Sequence, residues 1–105
     1  MAIYVDELIA WPQPPKPGAE RFFGNGKESC HLLTDGDMEE LHHFAEQMGL
    51  QRAWFQQEID PHLGHYDLTP ALRAIAVEMG AVSMNGIDLI QLLENAYVSR
   101  TTDIR

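Results

Sequence analysis

A chain of 105 residues that is 45% hydrophobic and 22% charged has the make-up of one ordinary globular domain, spanning 1–105. Its formal net charge of −9, with 7 scattered basic residues against 16 acidic ones, argues against unassisted binding to nucleic-acid backbones or anionic membranes. The lone cysteine, Cys30, excludes an internal disulfide; together with an N-terminus unlike a signal peptide and no apolar run of membrane-spanning length, it predicts a cytoplasmic protein.

Residues 2–5 are β-branched and aromatic, and predict a short buried strand ending at Asp6. Pro12, Pro14, Pro15 and Pro17, followed by Gly18, Gly24 and Gly26, exclude helix and central strand and predict a long loop over 12–28, with Trp11, Phe22 and Phe23 as anchors. Residues 29–33 predict a second strand. Asp37 with Glu40 then fits a capping box, Met38, Leu41, Phe44, Ala45 and Met48 form one apolar face, and Gly49 supplies the stop, giving a helix over 37–48. Residues 52–56 read as a short strand or the start of a loop.

The clearest start signal is Thr69-Pro70, an N-cap followed by proline at the first helical position. Leu72, Ile75, Ala76 and Met79 continue the period and Gly80 ends it, predicting a helix over 70–79. Ala81 to Met84 reads as a third short strand, broken at Asn85-Gly86. A third helix over 87–98 is apolar at Ile87, Leu89, Ile90, Leu92, Leu93, Ala96 and Tyr97, a breadth that implies burial on two sides or a partner surface. The tail from Ser99 is polar and predicted to fray. The alternation predicts an α/β fold: a small, mostly parallel sheet of about three short strands flanked by three helices.

Five histidines fall into two groups, His31, His42 and His43, then His62 and His65, with Asp35, Glu39, Asp60 and Asp67 nearby. Imidazole with carboxylate is what a divalent metal or an acid–base pair needs, yet no spacing here is a complete metal motif, and solvated or capping histidines are the plain alternative. At 100° per residue His43 points away from the apolar face of its helix, while His42 lies at its edge, better placed to face a cleft. His65-Tyr66-Asp67-Leu68-Thr69 precedes a helix N-terminus, where a phosphate or carboxylate could rest on Thr69 to Leu72 beside His65. Equally, Asp67 and Thr69 could only cap the helix. Asp6, at the carboxyl end of a strand, could hold metal, act as a base or start a turn. Cys30 reads as a small buried hydrophobe. Phosphate-binding glycine loops, serine nucleophile elbows and paired cysteine motifs are missing.

Tyr4-Val5-Asp6, Trp11, His31-Leu32, Asp35, Glu40-Leu41-His42, Phe44-Ala45, Gly49-Leu50, Trp54-Phe55-Gln56, His65-Tyr66-Asp67-Leu68-Thr69, Arg73 and Gly80-Ala81 together resemble a small bacterial and phage family, domain of unknown function 4031, over residues 3–82. The resemblance implies no mechanism. It does favour His31, His42, His65 and Asp67 over His43 and His62, and the chain departs from it in the 12–28 insertion and after residue 86.

The expectation is a site at one sheet edge where Asp6, His31, His42, His65 and Asp67 converge, open to a small phosphorylated or nucleotide ligand. His31, His42, His65 and Asp67 are its catalytic candidates; Asp6, Tyr66, Thr69 and Arg73 are its ligand-binding ones. His31 or His65 would serve as acid or base, or Asp6 and the histidines would hold a divalent metal; the sequence names no cofactor. The alternative is an acidic, phage-type interaction or inhibitor protein that binds a host protein, with 87–98 as an oligomer or partner surface. A helix-turn-helix reading is disfavoured by the acidic balance.

Overall fold

The computed structural model describes residues 2–10 and 28–102. The expected 12–28 loop and its anchors Trp11, Phe22 and Phe23 thus lie outside the described residues, except for Glu28, which opens a strand. The strands are β1 (Ile3–Val5), β2 (Ile9–Ala10), β3 (Glu28–Thr34), β4 (Tyr66–Leu68) and β5 (Val82–Ser83). The helices are α1 (Met38–Gln47), α2 (Pro70–Glu78) and α3 (Gly86–Thr102), with single 3₁₀ turns at Arg52–Trp54 and Pro61–Leu63.

The five-stranded sheet is mixed, not mostly parallel. β3 is its hub: β1 and β2 pair antiparallel along it, β4 pairs antiparallel with it, and β5 runs parallel to β1. Leu32 faces Val5 in β1 and Tyr66 in β4, so these strands flank β3 on opposite edges. β4 and β5 therefore point the same way without touching, and α2 is the crossover that joins them. The alternation of strands and helices was a fair sign of one such crossover, but it carries no information on the pairing of strands that are not consecutive. β2 and β4 are further departures: neither was expected as strand, and residues 65–69 read as a helix approach, yet 66–68 are strand.

The helices form where their end signals stand. The Asp37 carboxylate accepts from the Glu39 amide, and Thr69 Oγ1 accepts from the Leu72 amide at 3.2 Å, each satisfying a first-turn donor. Gly49 (φ 90°) and Gly80 (φ 111°) take the left-handed conformation just past α1 and α2. α3 starts at Asn85, whose Oδ1 accepts from the Asp88 amide at 2.9 Å, and continues beyond Ser99 to Thr102 where fraying was expected.

Side-chain alternation splits the core in two. Val5, Cys30, Leu32, Tyr66 and Leu68 face Leu41 and Ala45 of α1 and Ala76 of α2. Tyr4 and Leu33 face the other way and are covered by Leu89 and Leu93 of α3. Only one stripe of α3 is buried; Ile87, Ile90 and Val98 remain exposed.

Replacing Leu93 by alanine should cost about 2–5 kcal/mol, measured by urea unfolding, because it opens a cavity under α3. A cost below about 1 kcal/mol would mean that α3 is not docked. Burial first, then the Asp6 charge, pushes the Cys30 thiol up to about 12. Iodoacetamide should therefore label Cys30 only after the chain is unfolded.

Candidate functional site

The face of the sheet that looks toward α3 gathers most of the polar candidates. His31 and Asp67 are register partners across β3 and β4, so both point to this face while their neighbours Leu32, Tyr66 and Leu68 point into the larger core. His65 lies two residues before Asp67 and pairs with Gln56 in an isolated antiparallel bridge, which extends the same alternation.

Asp6 continues the β1 register opposite His31, its amide donating to the His31 carbonyl at 3.3 Å, and the register breaks just beyond it. From the Val5–Leu32 pair to the Ile9–Ser29 pair the chain advances four residues on one strand and three on the other. The extra residue is a β-bulge, a device that re-aims side chains. Asp6 holds His31 twice, its Oδ1 accepting from the His31 amide and its Oδ2 from Nδ1, both at 2.6 Å. Arg73, reaching from α2, donates Nε–H to the Asp6 carbonyl at 2.9 Å and an Nη2 hydrogen to Ser83 Oγ at 2.7 Å. It thus ties the ends of β1 and β5 together behind the site.

The ring of His31 meets that of His65 edge to face, with centroids 4.7 Å apart. His31 Nε2 lies 3.9 Å and His65 Nε2 3.6 Å from Asp67 Oδ1. His65 Nδ1 donates to the Leu63 carbonyl at 3.0 Å and has Glu58 Oε2 at 3.8 Å. The other Asp67 oxygen, Oδ2, accepts from the side-chain amide of Gln56.

Asp6, His31 and His65 of this cluster line a cleft of about 660 Å³ between the sheet and the first half of α3, and Asp67 adjoins the two histidines outside that lining. Its apolar wall is Leu33, Leu63, Leu89 and Ile90; its acidic groups are Asp6, Glu7, Glu58 and Glu94. The α3 wall is fixed at both ends. Glu7 Oε1 accepts from the Gly86 amide at 3.0 Å, and His62, buried in the Pro61–Leu63 turn, stacks on Tyr97 at 4.3 Å with Nε2 3.2 Å from Glu94 Oε2.

The remaining candidates lie elsewhere. His42 is buried on the α1 side of the sheet, where Nδ1 is 2.7 Å from the Tyr66 hydroxyl and the ring packs against Phe55. The expected cleft position fails because His42 is about 60° from Ala45 around the helix, inside the buried arc. Tyr66 points the same way, and burial raises its hydroxyl pKa. Thr69 is occupied as the α2 cap, and Arg73 binds backbone and Ser83. The convergence is therefore of Asp6, His31, His65 and Asp67, on the α3-facing side of the sheet where β4 forms its edge. Gln56, Glu58 and Glu94 escaped the sequence reading. Reading His65-Tyr66-Asp67 as strand would have grouped His65 with Asp67 by period two and set Tyr66 apart.

The hydrogen bond that His31 donates to Asp6 raises the His31 pKa above 6.5, against partial burial, which lowers it; the charges of Asp6, Asp67 and Glu58 add to the rise. Protonated His31 therefore stabilises the fold fully below its unfolded value, and this contribution disappears as pH rises through the folded value. Proton NMR should place its midpoint above 6.5. From about pH 6 to about pH 9 the wild type should lose more Tm than Asp6→Asn; equal losses would show that the pair carries no linkage.

No curated protein and no solved structure matches the chain significantly. A family model does, over residues 18–96, so that the match takes in β3, α1, β4, α2, β5 and most of α3. The chain belongs to the family described as protein of unknown function DUF4031.

Proposed function

We propose that the cleft is a small-ligand site, in which His31 and His65, with Asp67 beside them, meet the polar end of the ligand and Leu63, Leu89 and Ile90 hold its apolar body. The observation that carries this reading is the cleft itself. At about 660 Å³ it has the size of small-molecule pockets, and its lining combines an apolar wall with a few convergent polar groups. The polar groups are pre-ordered by bonds that do not depend on a ligand: Asp6 to His31, Leu63 to His65, Gln56 to Asp67.

Charge narrows the ligand. Asp6, Glu7, Glu58 and Glu94 line the cleft, with neither Lys nor Arg among its lining residues. A phosphorylated or nucleotide ligand would meet carboxylates where it needs cations. The first turn of α2, the other place for a phosphate, lies outside this lining, and its Leu72 amide is already bonded to Thr69. A neutral or cationic head group suits the cleft better.

Three probes of one size separate the cases: phenethylamine, 2-phenylethanol and phenethyl phosphate. Titration followed by amide chemical shifts should move His31, His65 and Ile90, and the amine should bind about tenfold more tightly than the phosphate at low salt. Ile90→Glu, which puts a charge on the apolar wall, should weaken 2-phenylethanol. Shifts confined to other parts of the fold, or the phosphate binding most tightly, would overturn this reading.

A further inference from the structure

We propose that His31, His65 and Asp67 bind one divalent first-row transition-metal ion at the floor of the cleft. The inference deepens the small-ligand reading by naming the cofactor of that same site, and rests on it for the role of the open metal positions.

Three atoms carry it: His31 Nε2, His65 Nε2 and Asp67 Oδ1. One donor atom from each of these residues lies within 4.8 Å of the others. The two nitrogens are 3.9 and 3.6 Å from Asp67 Oδ1. Donors on one tetrahedral ion, bonded at about 2.0–2.1 Å, are about 3.3 Å apart, so these spacings close onto an ion by small side-chain rotations.

The tautomers agree. Nδ1 of His31 faces a carboxylate oxygen and Nδ1 of His65 faces a backbone carbonyl, both acceptors only. Each Nδ1 must therefore carry a hydrogen, so that in the neutral form of each ring the Nε2 lone pair is free for a ligand bond. Asp67 is held in the same way, through Oδ2 by Gln56, with Oδ1 left toward the histidines. All three prospective ligands thus have an outer partner that fixes orientation, the arrangement that metal-binding histidines and carboxylates show. A purely structural ion pair would need none of this agreement in direction.

The donor set also selects the ion. Two imidazole nitrogens and one carboxylate suit zinc, cobalt or iron(II), whereas magnesium and calcium prefer oxygen. Cys30 cannot join, being buried on the opposite face. Three protein ligands leave at least one position open toward the cleft, where an ion would supply Lewis acidity to a ligand or to water. A divalent ion offsets only part of the five carboxylates of the floor and lining, so the preference for a non-anionic head group stands.

Metal-free protein should be titrated with zinc by calorimetry and with cobalt(II) by visible absorption, with magnesium and calcium as controls. One equivalent of zinc should bind, cobalt should give d–d bands of a low-coordinate nitrogen–oxygen site, and magnesium and calcium should fail to compete. His65→Ala and Asp67→Asn should each weaken zinc by about 100-fold or more, and Gln56→Leu by about 10-fold, with unchanged circular dichroism. His43→Ala, an exposed histidine on α1, should bind as wild type. Zinc that fails to bind, or that binds equally to His65→Ala and Asp67→Asn, would overturn the proposal. So would oxygen-selective binding of magnesium. Should zinc bind as expected while none of the three phenethyl probes does, the metal site stands and the small-ligand reading falls. Should the amine bind at His31 and His65 without zinc uptake, the ligand reading stands and the metal site falls.

Discussion

The Asp6 carboxylate is the pivot of this molecule. It holds the amide and the ring of His31 at once, at the point where β1 gives way to β2 and the pairing with β3 slips by one residue. Asp6 stands opposite His31 by the alternation of β1, its amide still donating to the His31 carbonyl, and the extra residue lies between it and Ile9. Arg73 closes the arrangement from behind by bonding the Asp6 carbonyl and the β5 serine. The same few atoms therefore set strand register, fix the orientation of the first histidine and link the α2 crossover to the site.

β3 translates that pivot into two different surfaces. Its even-numbered residues 30 and 32 build the larger core with α1 and α2, and its odd-numbered residues 31 and 33 build the cleft floor with α3. β4 repeats the division, with Tyr66 and Leu68 on one side and Asp67 on the other. Two short strands thus bring two side chains of the cluster into place at no cost to the main core. The second histidine comes from the bridge between Gln56 and His65, and Gln56 in turn orients Asp67.

What was legible in the sequence was local. Asp37, Gly49, Thr69-Pro70 and Gly80 mark helix ends through hydrogen bonding and backbone geometry that involve near neighbours only, and the helices begin and end there within one residue. Asp6, His31, His65 and Asp67 were singled out by chemistry. What was not legible was pairing. The direction of β3 against β1 depends on contacts between residues far apart in the chain, and a three-residue strand such as β4 has too few positions to show its period against the capping signal of Thr69. His42 and Tyr66 misled for a related reason. Their hydrogen bond satisfies two polar groups inside an apolar layer, so both look like site residues in a sequence and serve as core in the fold. The resemblance over 3–82 does not coincide with the family match, which begins at residue 18, leaving out Tyr4-Val5-Asp6 and Trp11, and runs to residue 96, taking in most of the helix that walls the cleft.

The division of the sheet into a core face and a cleft face has a consequence for engineering. Contacts made by Leu41, Ala45 and Ala76 never reach the cleft, whereas Leu89 serves packing and lining together. Substitutions that tighten the α1–α2 layer can raise stability while leaving ligand selectivity alone, and substitutions along α3 change selectivity only at some risk to packing. A library aimed at new ligands is best confined to Ile87, Ile90, Gln91 and Glu58, the lining positions that bear on the cleft without supporting the sheet.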